Sequence, residues 1–421
     1  MLMHDLLKDQ LIKLFEELDW QSQFADFFPA SRLDILWITS DFVKEGKYLP
    51  EAMWIVEYLV NDPDPSIDDQ ANQEILKGEE SRSIVTIRGS LAWLINNILA
   101  RLDTTYYPRL INLLEKLAND EVVYVRLQAT YPLAGLAQNI RAEKDREGKD
   151  WGFTKEDKER TMNLIFSMLE ANRQYPRVME GLTNVFEKLR FISEEQAMYI
   201  LRSFLYEKDK TFYPDYVTHN IAPVLIFFSE FRKDHTPEFK NEPFQELLRK
   251  VIVSAPPRLK TTLVWHFWKT IENDPKTYSR LKSYIPLLFQ GPFQEEPLGQ
   301  YEFLIEKILP QSPADAVEFF KLEIGYLRRA IAEQLQRDDW TIWFHHPEDI
   351  IDAVAQHDPN SLPEILSVLR DISLKRGYVG DVSKIFASYK KAPKERQDQL
   401  SKEIVPMYES LRYHDPNLPP L

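Results

Sequence analysis

Residues 107 to 136, YPRLINLLEKLANDEVVYVRLQATYPLAGL, limit the possible folds more than any other part of the chain. Four leucines occupy the i, i+3, i+4 and i+7 positions that line one side of an α-helix: Leu110, Leu113, Leu114 and Leu117. A second apolar stripe with helical spacing begins at Val125, shortly after a polar turn at Asp120. Because so short a connection forces two helices to run antiparallel, the segment predicts a helical hairpin.

The beginning of the second helix has a counterpart earlier in the chain. Ile87-Arg88 and Val125-Arg126 each place an arginine after a β-branched residue, 38 positions apart, and each precedes an apolar helix. The stripe that follows Arg88 consists of Leu91, Leu94, Ile95 and Ile98. A recurrence at this distance predicts a repeated pair of helices.

The order of residues in this unit resembles the HEAT repeat, a helical hairpin of about 40 residues that stacks into an α-solenoid of the armadillo-like type. Pro108 opens the first helix, the leucine stripe follows, Asp120 marks the turn, and Arg126 and Ala129 begin the second helix. The resemblance covers about residues 84–140. It implies an all-α fold, a HEAT-like α-α superhelix built from antiparallel helical hairpins.

The resemblance also implies roles for three charged residues. In HEAT repeats the turn aspartate and the arginine form a polar ladder between neighbouring repeats. By that likeness Arg88, Asp120 and Arg126 are ladder residues with a structural role.

Helical signals continue through the rest of the chain. Glycine is scarce, at 12 of 421 residues, and no stretch of alternating residues predicts a sheet. Three capping boxes predict helix starts: Thr154 with Asp157, Ser193 with Gln196, and Ser361 with Glu364.

The distribution of polar stretches suggests three regions. Residues 1–140 form N-terminal helical repeats, interrupted by a long polar insertion at 61–82. Residues 141–153 are polar, mixed in charge and without an apolar stripe, which predicts a loop or boundary. Residues 154–421 continue as irregular helical repeats, and one solenoid or two helical domains would fit them.

Composition limits the cell compartment and the partners. The chain has no cysteine, which suits a reducing cytoplasm, and its beginning reads as an amphipathic helix rather than a signal peptide. No apolar stretch approaches the ~20 residues that cross a bilayer. A net charge of −14 argues against nucleic acid as a partner, because binding phosphates requires clustered cations. We expect a soluble cytoplasmic protein that does not enter membranes.

Catalytic signatures are absent from the sequence. It contains neither a phosphate-binding glycine motif, nor a G-x-S-x-G elbow, nor H-E-x-x-H. The adjacent His345 and His346 could form a metal site only with a distant partner such as His357 or Asp349. The tetrapeptide HDPN, at 357–360 and 414–417, resembles part of the metal-dependent HD phosphohydrolase motif, but Asp-Pro-Asn is also common in turns, which is the preferred reading. We therefore predict no catalytic residue, no metal ligand and no cofactor.

Aromatic residues are the candidate partner contacts. Two clusters lie near predicted helix ends, and they supply the residues chosen as candidates: Trp268, Trp340, Trp343 and Phe344. Exposed aromatic side chains at such places are typical anchors for a partner. The alternative is burial in the core, which the i, i+3 spacing of Trp265 and Trp268 favours.

These observations favour a non-enzymatic scaffold that binds a protein partner. The helix start at Arg88-Gly89 is also similar to helical regions that flank the ATPase modules of bacterial NACHT and STAND proteins, which would make this chain an adaptor, sensor or regulatory subunit in bacterial signalling or defence. The alternatives are HEAT-like enzymes, either a DNA glycosylase, which needs a basic concave face, or a bilin lyase. Neither the partner nor the oligomeric state can be predicted.

Overall fold

The computed structural model describes the protein apart from residues 1, 28–31, 80–84, 102–105, 143–152, 190–191, 207–211, 236–237, 292–293, 295–296, 335–346, 377–385, 387–388, 391 and 415–419. The described residues form helices and no β-strand; the only extended pairing among them is one antiparallel bridge between Tyr206 and Phe212. The prediction of an all-α protein is confirmed for this part of the chain.

Contacts divide the chain into two compact units, Met1–Ile221 and Ala222–Leu421. The helices of the first unit are α1 Leu2–Phe15, α2 Trp20–Phe27, α3 Arg32–Lys44, α4 Leu49–Leu59, α5 Gln70–Leu76, α6 Ile87–Leu99, α7 Tyr107–Ala118, α8 Val123–Ala142, α9 Lys155–Asn172, α10 Pro176–Lys188, α11 Glu194–Leu205 and α12 Asp215–Thr218. The loop or boundary predicted at 141–153 falls mainly on residues outside the described part of the chain.

The second unit contains shorter and more irregular helices. They are α13 Ala222–Ile226, α14 Arg232–His235, α15 Glu242–Ser254, α16 Pro257–Asn273, α17 Tyr278–Leu281, α18 Ile285–Leu288, α19 Leu298–Ile308, α20 Pro313–Gln334, α21 Pro347–His357, α22 Leu362–Arg376 and α23 Lys394–His414. A π-helical turn at Phe227–Phe231 joins α13 to α14. Within the described residues, no helix has both the length and the apolar character that a membrane crossing requires.

Two of the three predicted capping boxes are present. The side chains of Thr154 and Ser193 accept hydrogen bonds from the backbone N–H groups of Asp157 and Gln196. In return, the side chains of Asp157 and Gln196 accept hydrogen bonds from the backbone N–H groups of Thr154 and Ser193. The third prediction, at Ser361, is wrong. The Ser361 hydroxyl instead bonds to the carboxylate of Asp358, 2.6 Å away. Glu364, the other residue of that predicted box, pairs with Arg328.

The hairpin predicted at residues 107–136 is formed by α7 and α8, which pack against each other. Its apolar stripes are buried, each residue exposing 3% or less of its surface: Leu110, Leu113, Leu114 and Leu117 on α7, and Val125, Ala129, Leu133 and Leu136 on α8. Full burial of one leucine side chain contributes about 1.5–3 kcal/mol, so the two stripes explain why the helices associate. Pro132 lies inside α8, as expected from the sequence.

Four helices of the first unit lie side by side in the order α3, α6, α8 and α10. Contacts at matching heights show that they are parallel. Between α6 and α8, Asn96 lies against Gly135, and further along both helices Asn139 donates to the carbonyl of Leu99 over 2.9 Å. Helices α4, α5, α7 and α9 lie between them in sequence. The row brings residues from four separate segments onto one face.

The predicted polar insertion at 61–82 is folded where it is described, and it caps this row. Backbone N–H of Ile87, at the start of α6, donates to the carboxylate of Asp64 over 2.7 Å. At the start of α8, Tyr124 N–H donates to the side chain of Asn72. In the first turn of α10, the Arg177 guanidinium donates to the Gly78 carbonyl over 2.8 Å. The segment therefore satisfies polar groups at the N-terminal ends of three neighbouring helices.

Candidate partner-binding face

Two long stretches of the parallel row carry no charge. Residues 89–100 of α6 and its C-terminal cap, and residues 127–140 of α8, contain no Asp, Glu, Lys, Arg or His, although 28% of the whole chain is charged. Each stretch nevertheless exposes one large aromatic residue, because Trp93 and Tyr131 both leave 50% of their surface open to solvent. Loss of charge combined with exposed Trp and Tyr is typical of the centre of a protein interface.

The two exposed rings form one platform. Trp93 and Tyr131 stack with their centroids 5.6 Å apart and their planes inclined by 28°. A third exposed aromatic residue, Trp37 on α3, leaves 47% of its surface open. Hydrogen bonds from Asn97 to Ser40, and from Arg101 to the Lys44 carbonyl, set the register of α3 against α6. That register places position 37 at the height of Trp93.

Side-chain amides surround the platform. Asn96 is three residues after Trp93 on α6, while Gln128 precedes Tyr131 by three residues and Gln138 follows it by seven, spacings that share one side of a helix. Among the described residues, none forms a hydrogen bond with these three amides. The neighbouring amides of Asn97 and Asn139 differ, because both donate within the protein.

We call this surface the amide–aromatic face, and it consists of Trp37, Trp93, Asn96, Gln128, Tyr131 and Gln138. Its six residues are uncharged, although the exposed Asp34 lies three residues before Trp37 on the same side of α3. Charged residues resume on the outer helices of the row, with Asp34 and Lys44 exposed on α3 and Glu187 exposed on α10. An uncharged centre bordered by charged residues is the usual organisation of a binding surface.

A buried ion pair positions the start of α6. The Arg88 guanidinium donates to both carboxylate oxygens of Asp120, over 2.9 and 3.0 Å, and also to the carbonyl of Asp62. Arg88 exposes only 7% of its surface. A two-point pair of this geometry fixes the orientation of both side chains as well as their distance.

The structure thus brings together two of the three predicted ladder residues. Arg126 lies elsewhere, with its guanidinium carbon 5.0 Å from the centroid of the Tyr175 ring at the start of α10. Arg126 therefore reaches the next helix of the row by a cation–π contact.

Burial alters the ionisation of the segment that caps the row. Desolvation raises the pKa of the Asp64 carboxyl, and the hydrogen bond from Ile87 N–H opposes that shift. Burial also raises the pKa of Tyr124, whose backbone N–H is held by Asn72. Both groups lie at helix starts, and the ring of Tyr124 packs against Gly89, the first residue of the uncharged stretch of α6.

The predicted partner contacts lie elsewhere. Trp268 on α16 is half-buried; its indole N–H donates to the Gln300 side chain over 2.8 Å, and its ring packs 5.8 Å from that of Phe303. Its neighbour Trp265 exposes 40% of its surface. The other three candidates, Trp340, Trp343 and Phe344, lie outside the described residues.

No metal centre is apparent in the described part of the chain, where no three His, Asp or Glu residues converge. His345 and His346 lie outside it. The first HDPN copy forms the turn that the sequence predicts, directly after α21 ends at His357. The second copy, at 414–417, lies mostly beyond the described residues.

A groove of about 680 Å³ runs along α4 and α7, and it offers a second possible site. Apart from Lys116, its charged residues form ion pairs with each other or with a neighbouring residue. Arg109 forms a two-point pair with Glu57, and Arg160 forms another with Glu115. Because these pairs satisfy the groove's own charges, the groove offers a ligand less than the amide–aromatic face does.

Comparison with models of known protein families gives no match, and neither does comparison with curated proteins. The function must therefore be inferred from the site. The sequence did contain the signal that identifies the face: two long charge-free stretches, each with a single large aromatic residue at a position that is not part of the apolar stripe.

Proposed function

We propose that this protein is a non-enzymatic helical-repeat scaffold that binds a protein partner through the amide–aromatic face. The exposed Trp93–Tyr131 platform within an uncharged stretch is the observation that carries the proposal. The repeats would be of the HEAT-like superhelical type, and the protein would act in the cytoplasm as an adaptor, sensor or regulatory subunit of bacterial signalling or defence.

The chemistry of the face supports a protein partner. Tryptophan and tyrosine supply large contact area with few rotatable bonds, and they are enriched among residues that dominate binding energy. Amide side chains donate and accept hydrogen bonds without the desolvation cost of a charge. Nucleic acid is poorly matched, because neither charge-free stretch offers a cation to a phosphate.

The test is recovery of the partner from the native host with two matched variants. Tyr131→Asp places a charge in the centre of the face, and Trp265→Asp places one at an exposed tryptophan of the second unit. We expect a partner in stoichiometric amount with the unaltered protein and with Trp265→Asp, and its loss with Tyr131→Asp, because the buried charge would have no counterion.

Thermal unfolding of both variants serves as the control, since half-exposed positions should tolerate the change. If Tyr131→Asp retains the partner, or if only Trp265→Asp loses it, the amide–aromatic face is not the surface that binds the partner. Recovery of the unaltered protein alone, or with nucleic acid that survives nuclease treatment, would contradict the scaffold function itself.

A further inference from the structure

We infer that the partner places an arginine side chain against Asp34 and Trp37, at the α3 edge of the amide–aromatic face. The inference rests on the proposed function and names a side chain that the partner brings to that same site. Two observations carry it. The Asp34 carboxylate and the Trp37 ring are both unpartnered, and elsewhere in the protein a carboxylate beside an aromatic ring holds a cation.

Asp34 and Trp37 are exposed neighbours on one side of α3. They are three residues apart, a spacing that brings two side chains together on a helix surface. Among the described residues, none pairs with the Asp34 carboxylate, accepts a hydrogen bond from the Trp37 indole or packs a ring against it. Both side chains are therefore free to contact another molecule.

The other charged residues of α3 already have partners. Asp41 lies four residues after Trp37, on the same side of the helix, and its carboxylate is 2.9 Å from Nζ of Lys44. Arg32 pairs with Asp62 and is not available to Asp34. Of the charged residues of α3, all of which are described, only Asp34 has no partner of opposite charge.

The second unit shows what a tryptophan and a carboxylate on one helix can hold. Trp268 and Glu272 are four residues apart on α16. Between them, Lys269 places its Nζ 5.3 Å from the centroid of the Trp268 ring and 2.6 Å from the Glu272 carboxylate. A cation is attracted to the negative face of an aromatic ring, most strongly to that of tryptophan. The Trp37 ring and the Asp34 carboxylate offer the same two contacts without a cation.

A cation that comes from a different helix can make both contacts as well. Phe231 and Asp234 are three residues apart, the spacing of the pair on α3. The guanidinium carbon of Arg280, on α17, lies 5.5 Å from the centroid of the Phe231 ring. The same guanidinium donates a hydrogen bond to the Asp234 carboxylate. An arginine delivered from outside the helix therefore fits a ring and a carboxylate at this spacing.

Arginine suits this position better than lysine does. Its guanidinium is planar, so it can stack on a ring while its N–H groups point at a carboxylate, whereas an ammonium is a strongly hydrated point charge. Arg173 does this in the first unit. Its guanidinium carbon lies 5.3 Å from the centroid of the Tyr199 ring, and it donates to the Glu170 carboxylate over 2.9 Å.

The rest of the partner segment should be uncharged where it crosses the platform. Helix α6 lies next to α3 in the row, and residues 89–100 and 127–140 offer no counterion to a buried charge. Burying an unpaired charge there would cost more than the aromatic contact contributes. The expected segment therefore combines one arginine with uncharged neighbours.

The experiment is a selection of displayed peptides against the full chain. Two libraries have peptides of equal length, with arginine fixed at the centre of one and glutamine at the centre of the other, and all other positions exclude charged residues. We expect binders from the arginine library, with affinities about tenfold higher than any from the glutamine library, because an ion pair and a ring contact together contribute about 1.4 kcal/mol.

Variants of the protein locate the arginine. Isothermal calorimetry with a selected, synthesised peptide should show affinity lower by about fivefold for Asp34→Asn and about tenfold for Trp37→Ala. Asp41→Asn is the matched control on the same side of α3, and it should change affinity by less than about twofold because Asp41 is already paired. Replacing the central arginine of the peptide by lysine should weaken binding by about threefold. Thermal unfolding verifies that each variant is folded.

Three results would overturn the inference: no advantage of the arginine library, unchanged affinity in Asp34→Asn, or an equal loss in Asp41→Asn. Lysine peptides that bind as tightly as arginine peptides would overturn the assignment of arginine. Failure of the inference can be separated from failure of the proposed function. If Tyr131→Asp loses the natural partner while the arginine library shows no advantage, the face remains a protein-binding surface and only the arginine assignment falls. If Tyr131→Asp retains the natural partner, both fall.

Discussion

The two units each expose a cluster of aromatic residues, and the clusters differ in what surrounds them. In the first unit, Trp93 and Tyr131 stack on each other within a charge-free stretch. In the second unit, the indole N–H of Trp268 donates a hydrogen bond to the side chain of Gln300, and its ring packs against Phe303. Beside it, Lys269 and Lys307 both pair with Glu272.

Aromatic content alone therefore does not identify a binding surface. A tryptophan that is half-buried, hydrogen-bonded and bordered by paired charges already has the contacts it needs within its own unit. An aromatic platform beside unpaired amides leaves contacts to be made by another molecule. The two clusters should therefore respond differently to the same substitutions.

The largest effect on stability is expected at the Arg88–Asp120 ion pair, at the start of the helix that carries Trp93. Arg88→Ala should lower the free energy of unfolding by about 3–5 kcal/mol, because it leaves the Asp120 carboxylate without its buried partner. Arg126→Ala removes a cation–π contact and should cost only about 0.5–1 kcal/mol, without loss of partner binding. Chemical denaturation compares the two variants. Equal losses of unfolding free energy in the two variants would show that the Arg88–Asp120 pair does not stabilise the row of parallel helices.

The next effect is a pH dependence that originates in the second unit. Lys260 lies on the same helix as Trp268, is fully buried and donates only one hydrogen bond among those described, to the Gln290 carbonyl. Burial lowers the pKa of Lys260 to about 8 from an ordinary value of 10.5. Below pH 8 both the folded and unfolded states carry the proton, and the folded state bears the full cost of burying the charge.

Between pH 8 and 10.5 the unfolded chain binds this proton and the folded chain does not, so this group's contribution to stability rises with pH by about 3 kcal/mol. Lys260→Met should therefore be the more stable protein at pH 7, and its advantage should shrink as the pH approaches 10.5. Denaturant titrations of both proteins at each pH measure that advantage. An advantage that does not change with pH would show that Lys260 is not desolvated as described.

Stability should distinguish the two tryptophans directly. Trp268→Ala should cost about 2–3 kcal/mol of unfolding free energy, somewhat less than a fully buried aromatic residue, because it removes ring packing and the bond to Gln300. Trp93→Ala should cost less than about 1 kcal/mol, since half of that side chain is already exposed. If Trp93→Ala proves the more destabilising, its ring belongs to the core rather than to a binding surface.

The smallest effect is expected from salt. Because residues 89–100 and 127–140, which hold the Trp93–Tyr131 platform, carry no charge, partner affinity should change by less than about threefold between 50 and 500 mM salt. Binding at a charged surface, such as the one around Lys269 and Glu272, would weaken over the same range. A steep decrease in affinity with salt would show that the partner binds at a charged surface and not at the amide–aromatic face.

Local features of this protein could be predicted from the sequence because they depend on nearby residues. Leucine spacing predicted the α7–α8 hairpin, and the pairs Thr154–Asp157 and Ser193–Gln196 predicted two helix starts. Ser361 also precedes a helix, α22, but the predicted capping box does not form there, because Asp358, three residues earlier, accepts the hydroxyl of Ser361. Short-range patterns succeed where no other polar side chain competes for the same hydrogen bond.

The face could not be assembled from the sequence, because Trp37, Trp93 and Tyr131 come from three helices whose register is set by contacts such as that of Asn97 with Ser40. The sequence predicts only an insertion at residues 61–82, for a related reason. It has few apolar residues, and it is held in the fold by hydrogen bonds to distant helix ends together with the burial of only Ala71 and Ile75 on α5. Long-range polar contacts of this kind leave no periodic pattern.

Site-specific photo-crosslinking in the native host tests whether the amide–aromatic face binds the partner. A photoreactive phenylalanine analogue replaces Tyr131 in one protein and Trp265 in another, two aromatic positions that expose 50% and 40% of their surface. We expect a covalent adduct with one protein partner from position 131 and none from position 265. An adduct from position 265 alone would contradict the claim that the amide–aromatic face is the binding surface.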